Sequence, residues 1–179
     1  MRSSMLWRRL LPAEQGFVLQ HFGAQQGGWL AQQVRLGLRR VGDTRRALCL
    51  NGGWLSFPRA CYGGASLQAP LRLDHPAVAG LFAHELLHQL QRSQGLPVTR
   101  QAVALHARQL LPGWLGGRDP YAYRAGHSAR ARLRQFWQAQ VEQQAQMWQD
   151  HVQALVAGRP DPAWAGVARA VQAGRLRRR

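Results

Sequence analysis

The chain contains no lysine, two cysteines and eight acidic residues, of which only Glu14, Glu85 and Glu142 are glutamate. All 24 basic residues are therefore arginine, and the formal net charge is +16. An imbalance of that size suits a phosphate backbone, an anionic lipid surface or an acidic protein, and charge by itself selects none of them. No helix-turn-helix pattern, Cys/His finger or ribonucleoprotein signature accompanies it, so nucleic-acid binding is not expected as the main function. No run reaches the roughly 18 apolar residues of a transmembrane segment. At the N-terminus Arg8 and Arg9 interrupt the apolar residues and Pro12 follows, which removes the core of an ordinary secretory signal. The expectation is a soluble chain, cytoplasmic in the cell that makes it, with any export by another route. Cys49 and Cys61 are too few for a disulfide framework and are not spaced as a zinc knuckle. A hairpin turning at Asn51-Gly52-Gly53 would let them pair in an oxidising compartment.

What is present is a globular composition. Hydrophobic residues make up 46% of 179, with seven Trp and no low-complexity block or internal repeat, so one domain with a real core is expected. Pro12 suits a first helical turn, and residues 13–22 read as a helix stopped at Gly23. Residues 32–38 carry Val34, Leu36 and Leu38 at period two, a strand pattern. Residues 46–57 read as a hairpin about the Asn-Gly-Gly turn. From His75 the period becomes helical, with Ala79, Phe82, Ala83, Leu86, Leu87 and Leu90 on one face, until Gly95 and Pro97 stop it. Thr99 is a plausible cap for a helix to about residue 111, and a Gly-rich loop leads to Asp119-Pro120. A long helix is predicted from Ser128 past Val152, with Phe136, Trp137, Val141, Ala145, Trp148 and Val152 as its apolar stripe. The predicted class is α+β: a mostly helical domain over residues 1–158 with a small antiparallel sheet. Residues 159–179 form a helical extension whose arginine tail is expected to be solvated.

The chemistry is concentrated in Ala83-His84-Glu85-Leu86-Leu87-His88. Histidines four apart on a helix project from one face and can share a metal ion, while Phe82, Leu86 and Leu90 anchor the other face. Glu85 need not be a ligand; beside a metal it serves as the base that takes a proton from water and returns it to the leaving group. With seven His and three Glu in the chain, a chance match is on the order of one in two hundred. A catalytic zinc site takes three protein ligands and leaves a fourth position to water. Candidates for the third are His106, Asp119, His127, Glu142, Asp150 and His151. Glu142 is preferred because it lies beside an apolar stripe where a merely solvating carboxylate is unexpected, and His127 is second. Gln146, one turn on, is placed to orient a ligating His. Tyr121 and Tyr123 are candidate donors to a developing oxyanion.

An N-terminal Leu11-Pro12-Ala13-Glu14 helix, a Trp-containing hairpin, HELLHQLQ from His84, Tyr121-Ala122-Tyr123 and then Glu142-Gln143-Gln144-Ala145 follow one another in an order that resembles the Vgr-related proteins. It is also similar to metallopeptidase domains fused to the spike proteins of bacterial type VI secretion systems, and the resemblance spans roughly residues 5–155. The resemblance implies a zincin-like metallopeptidase with His84, His88 and Glu142 as zinc ligands, Glu85 as catalytic base and Tyr121 or Tyr123 as helper. It further implies an antibacterial effector or accessory, delivered without a signal peptide to the periplasm of a target cell. A protein or cell-wall peptide would be the substrate, and a secretion spike and an immunity protein the partners. Leu87 and Leu90, where smaller or β-branched residues are expected, and the insertion-like segment 101–111 depart from the pattern. The alternative is a basic binding or structural module whose metal is absent or only braces the fold.

Overall fold

The computed structural model describes residues 7–39, 47–64, 66–98, 123 and 128–177. The helix predicted after Thr99, the loop to Asp119-Pro120, and His106, Tyr121 and His127 lie outside the described residues. The class is α+β: four strands, β1 (Trp7–Arg9), β2 (Arg35–Leu38), β3 (Leu48–Cys49) and β4 (Trp54–Phe57), accompany five described helices. These are α1 (Pro12–Gln33), α2 (Pro76–Ser93), α3 (Ala129–Gln138), α4 (Val141–Val156) and α5 (Ala165–Gln172).

The sheet has the order β1-β2-β4-β3 and is mixed rather than antiparallel as expected. β1 and β3 pair antiparallel with their neighbours, but β2 and β4 run parallel, with Leu36 opposite Leu55 and Leu38 opposite Phe57. The predicted hairpin explains the difference. Residues 51–53 turn β4 back from the outer strand β3; β3 runs opposite to both β2 and β4, so placing β4 rather than β3 beside β2 makes that pairing parallel. Leu36, Leu55 and Phe57 are fully buried, and Phe57 meets Phe82 of α2 edge-on at 5.8 Å between ring centroids. The sheet thus supports the helix that carries the His-Glu-x-x-His motif.

Helix α1 begins as Pro12 predicts, but Gly23 does not end it. At φ 74° and ψ 171° Gly23 is a kink, reachable without strain only by glycine, after which the helix resumes to Gln33. The predicted long helix past Ser128 is likewise two helices. Ser128 caps α3 by accepting from the Ala131 N–H at 3.2 Å; the backbone then extends at Ala139 and Gln140 before α4 starts. The break puts Glu142 in the first turn of α4, where the helix dipole favours a carboxylate. The C-terminal residues share the common core, with Val167, Val171 and Leu176 fully buried, while Arg175 and Arg177 are exposed.

A buried ion pair ties β1 to α1. The Arg8 guanidinium donates twice to Glu14 at 2.6 Å, and the same carboxylate accepts the Leu11 and Leu71 backbone N–H groups at 2.8 and 2.9 Å. Both side chains are buried, so removing one partner strands a charge away from water. Arg8→Ala is expected to lower unfolding free energy by about 3–5 kcal/mol in urea titration. A loss below about 1 kcal/mol would mean that the pair is hydrated in solution.

Candidate metal centre

Helix α2 is buried around most of its circumference, with 13 of its 18 residues inaccessible. One side packs on the sheet and α1; the side bearing His84 and His88 is covered by α4. The two helices run antiparallel, as Gly80 lies against Gln149 and Gln153 while Gln91 meets Val141 and Gln144. A Cβ on Gly80 would sit 3.1 Å from the Gln149 carbonyl, so glycine one turn before His84 permits the close approach. That approach carries Glu142 to the histidines.

The ligand atoms converge. His84 Nε2 and His88 Nε2 are 3.1 Å apart, and Glu142 Oε2 lies 3.6 Å from the first and 3.3 Å from the second. All three side chains are buried. Among the described residues they form the one group of three His, Cys, Asp or Glu side chains close enough to share an ion. Three ligands held tetrahedrally at about 2.0–2.1 Å from a common centre are separated from each other by about 3.3 Å. The observed triangle has those dimensions, so the residues fit a metal ion.

Its electrostatics favour a cation as well. Burial opposes ionisation of Glu142, yet hydrogen bonds and charge from His84 and His88 outweigh it and hold the carboxyl well below the usual carboxylate range. Burial also works against a charged His88, but the hydrogen bond and charge of Glu142, with the charge of Glu85, reverse the balance and raise its pKa. The pocket therefore draws in positive charge, which a proton supplies in acid and a divalent ion supplies when the rings are neutral.

Glu85 is buried next to His84 in the chain, and its charge acts on both His88 and Cys49. Cys49 and Cys61 are free thiols, not a pair. Strand β3 turns Cys49 toward α2, where Gln89 and Arg92 donate to its sulfur, and burial followed by the charge of Glu85 pushes the thiol up to about 12. Tyr123 is drawn elsewhere: its hydroxyl donates to Asp150, about 12 Å along α4 from Glu142 at 1.5 Å per residue. Gln146 also donates to Asp150, at 2.7 Å, and among the described residues it is Gln91 rather than Gln146 that meets a candidate histidine ligand. Asp150 is thus occupied, and His151 packs against Trp148 and Trp164, leaving neither as a ligand beside His84 and His88.

The residue that sequence reasoning missed is Gln91. Its Oε1 lies 2.8 Å from His88 Nδ1, the position assigned in advance to Gln146. The available signal was its spacing three residues after His88 on the same helix, which places the side chains as neighbours. Comparison with protein-family models, with curated proteins and with solved structures found no match to this chain.

Proposed function

We propose that the protein is a zinc-dependent metallopeptidase with a zincin-like site. The observation that carries this reading is the triangle of His84 Nε2, His88 Nε2 and Glu142 Oε2, with sides of 3.1, 3.3 and 3.6 Å. Two imidazoles and one carboxylate form a catalytic rather than a closed structural donor set for zinc. When bound, the ion supplies Lewis acidity that polarises a peptide carbonyl and acidifies water. Glu85, adjacent to His84 in the chain, takes the proton of the attacking water and delivers it to the departing amine. His84, His88 and Glu142 hold their positions through burial between α2 and α4, so the centre is assembled before substrate arrives. The resemblance to metallopeptidase domains of type VI secretion spikes supports an antibacterial effector or accessory acting on a protein or cell-wall peptide.

Elemental analysis of the purified protein tests the site directly. About one zinc per chain is expected, lost in His84→Ala and Glu142→Ala and retained in Glu85→Gln. Wild type prepared without chelator and containing no zinc would remove this reading. The net charge of +16 would then favour the second one, a basic module docking on an acidic partner.

A further inference from the structure

A chain of buried amides runs from the C-terminal segment to the metal ligands. Gln144 Nε2 donates to the main-chain carbonyls of Phe136 and Leu176, both at 2.8 Å. Carbonyl oxygens only accept, so the amide nitrogen of Gln144 must face them and its oxygen must face away. That oxygen accepts from Gln91 Nε2 at 3.0 Å, and the second proton of the same nitrogen goes to the Val141 carbonyl at 3.0 Å. Gln91 is oriented in its turn, and its Oε1 is left pointing at His88 Nδ1, 2.8 Å away. Gln91 is fully buried and Gln144 is 2% exposed, so bulk water offers neither an alternative partner. Turning either amide over would set oxygen against oxygen and strand buried groups, at about 1–3 kcal/mol for each one left unsatisfied.

We propose that Gln91 and Gln144, anchored on the carbonyls of Phe136, Val141 and Leu176, are positioning residues that hold His88 as its Nδ1–H tautomer and so present Nε2 to the metal ion. An oxygen that can only accept requires the proton on Nδ1, and a neutral imidazole with its proton there has its lone pair on Nε2. Nε2 is the atom that faces Glu142 at 3.3 Å. The anchors come from three parts of the chain: the end of α3, the first turn of α4 and the residues after α5. The last of these is clamped at consecutive carbonyls, since Gln94 donates to that of Gly174 at 2.9 Å and Trp137 to that of Arg175 at 3.1 Å, next to the Gln144 contact with Leu176. The C-terminal segment thereby supports a metal centre whose ligands lie far earlier in sequence.

The metal function rests on the metallopeptidase reading, whereas the Gln91–His88 contact is a property of the metal-free chain, and two measurements separate them. Without a metal, Glu142 Oε2 also accepts and competes for a proton on Nε2 at 3.3 Å, so the tautomer is read in zinc-stripped, full-length Glu142→Ala protein, where that competitor is gone. Long-range nitrogen–carbon NMR of its histidine rings at alkaline pH is expected to show His88 protonated on Nδ1, and adding Gln91→Leu is expected to remove that preference. In the otherwise wild-type chain Gln91→Leu is expected to weaken zinc binding about 10–100-fold by chelator competition. Gln144→Leu shifts both readings the same way by a smaller factor. A Glu142→Ala spectrum with His88 protonated on Nε2 overturns the proposal even if wild type binds zinc. So does a folded Gln91→Leu chain that keeps both the Nδ1–H signature and wild-type zinc affinity. If Glu142→Ala or Gln91→Leu does not fold, the zinc affinity of Gln144→Leu decides, and an affinity equal to wild type overturns the proposal. Absence of zinc from wild type, with the Nδ1–H signature present, would sink the metallopeptidase reading and leave the relay standing.

Discussion

Glu85→Gln protein is expected to keep its zinc and its fold while its rate of peptide hydrolysis falls by about 10²–10⁴-fold, the usual contribution of a positioned general base. Glutamine matches the size of glutamate, so the packing of α2 against β3 and α4 is preserved; what disappears is the ability to accept and return a proton. The proposed ligands His84, His88 and Glu142 are untouched, so metal content should stay at the wild-type value. The two outcomes together are diagnostic, because a ligand variant such as His84→Ala loses metal and activity at once and cannot separate binding from proton transfer. Cleavage of a peptide library followed by mass spectrometry, with zinc measured on the same samples, gives both numbers. Equal cleavage by Glu85→Gln and wild type would remove Glu85 from the chemistry and favour the basic-module reading, under which this substitution leaves function unchanged.

Acid is expected to destabilise the protein well before its carboxylates titrate. His21 of α1 lies on Phe17 at 4.3 Å between ring centroids, and His151 of α4 is held between Trp148 and Trp164 at 5.1 and 5.3 Å. Burial lowers both rings from 6.5 to about 4, and for His151 the charges of His21 and Arg132 add to the effect. In the unfolded chain both regain ordinary values near 6.5, so between pH 6.5 and 4 the unfolded state binds protons that the folded state refuses. The stability is therefore fully present above about pH 6.5 and is lost as the pH falls through that window. At 1.36 kcal/mol per pKa unit, the first of these protonations costs roughly 3 kcal/mol, a large part of a domain's usual 5–15 kcal/mol. His88 has the opposite sign in zinc-free protein: its raised pKa contributes stability below pH 6.5 that is lost as the pH rises, and it partly offsets the pair. Glu142 enters only below its ordinary carboxylate range, because its folded pKa is depressed. Thermal unfolding of the zinc-free protein should show Tm dropping between pH 6.5 and 4, with a much shallower drop in a His21→Phe, His151→Phe double variant. A double variant that loses as much as wild type over the same interval would assign the acid sensitivity to other groups.

Local rules made much of the site legible. Two imidazoles four apart on a helix share a face whatever surrounds them, and Pro76 and Gly95 bound that helix at the ends that backbone sterics predict. The Asn51-Gly52-Gly53 turn and a helix start at Ser128 were readable for the same reason, since each depends on the chemistry of a few adjacent residues. Glu142 stood out as a scarce carboxylate beside an apolar stripe, and the structure brings it to the histidines from 54 residues beyond His88.

What sequence spacing could not decide is where distant segments meet. The parallel pairing of β2 with β4 depends on which strand of the hairpin lies beside β2, and no period in either strand encodes that. The break at Ala139 and Gln140 interrupts a stripe that reads as one continuous helix, because the helix must turn there for α4 to reach α2. Gln91 and Gln146 are equally plausible second partners by helical spacing, but the Val141 carbonyl and the Gln144 amide recruit the first, and Asp150 engages the second. The sequence by itself determined that His84 and His88 share one helical face, and only the tertiary structure decided that Glu142 joins them and how the group is held, because hydrogen-bond direction depends on carbonyls contributed from across the chain.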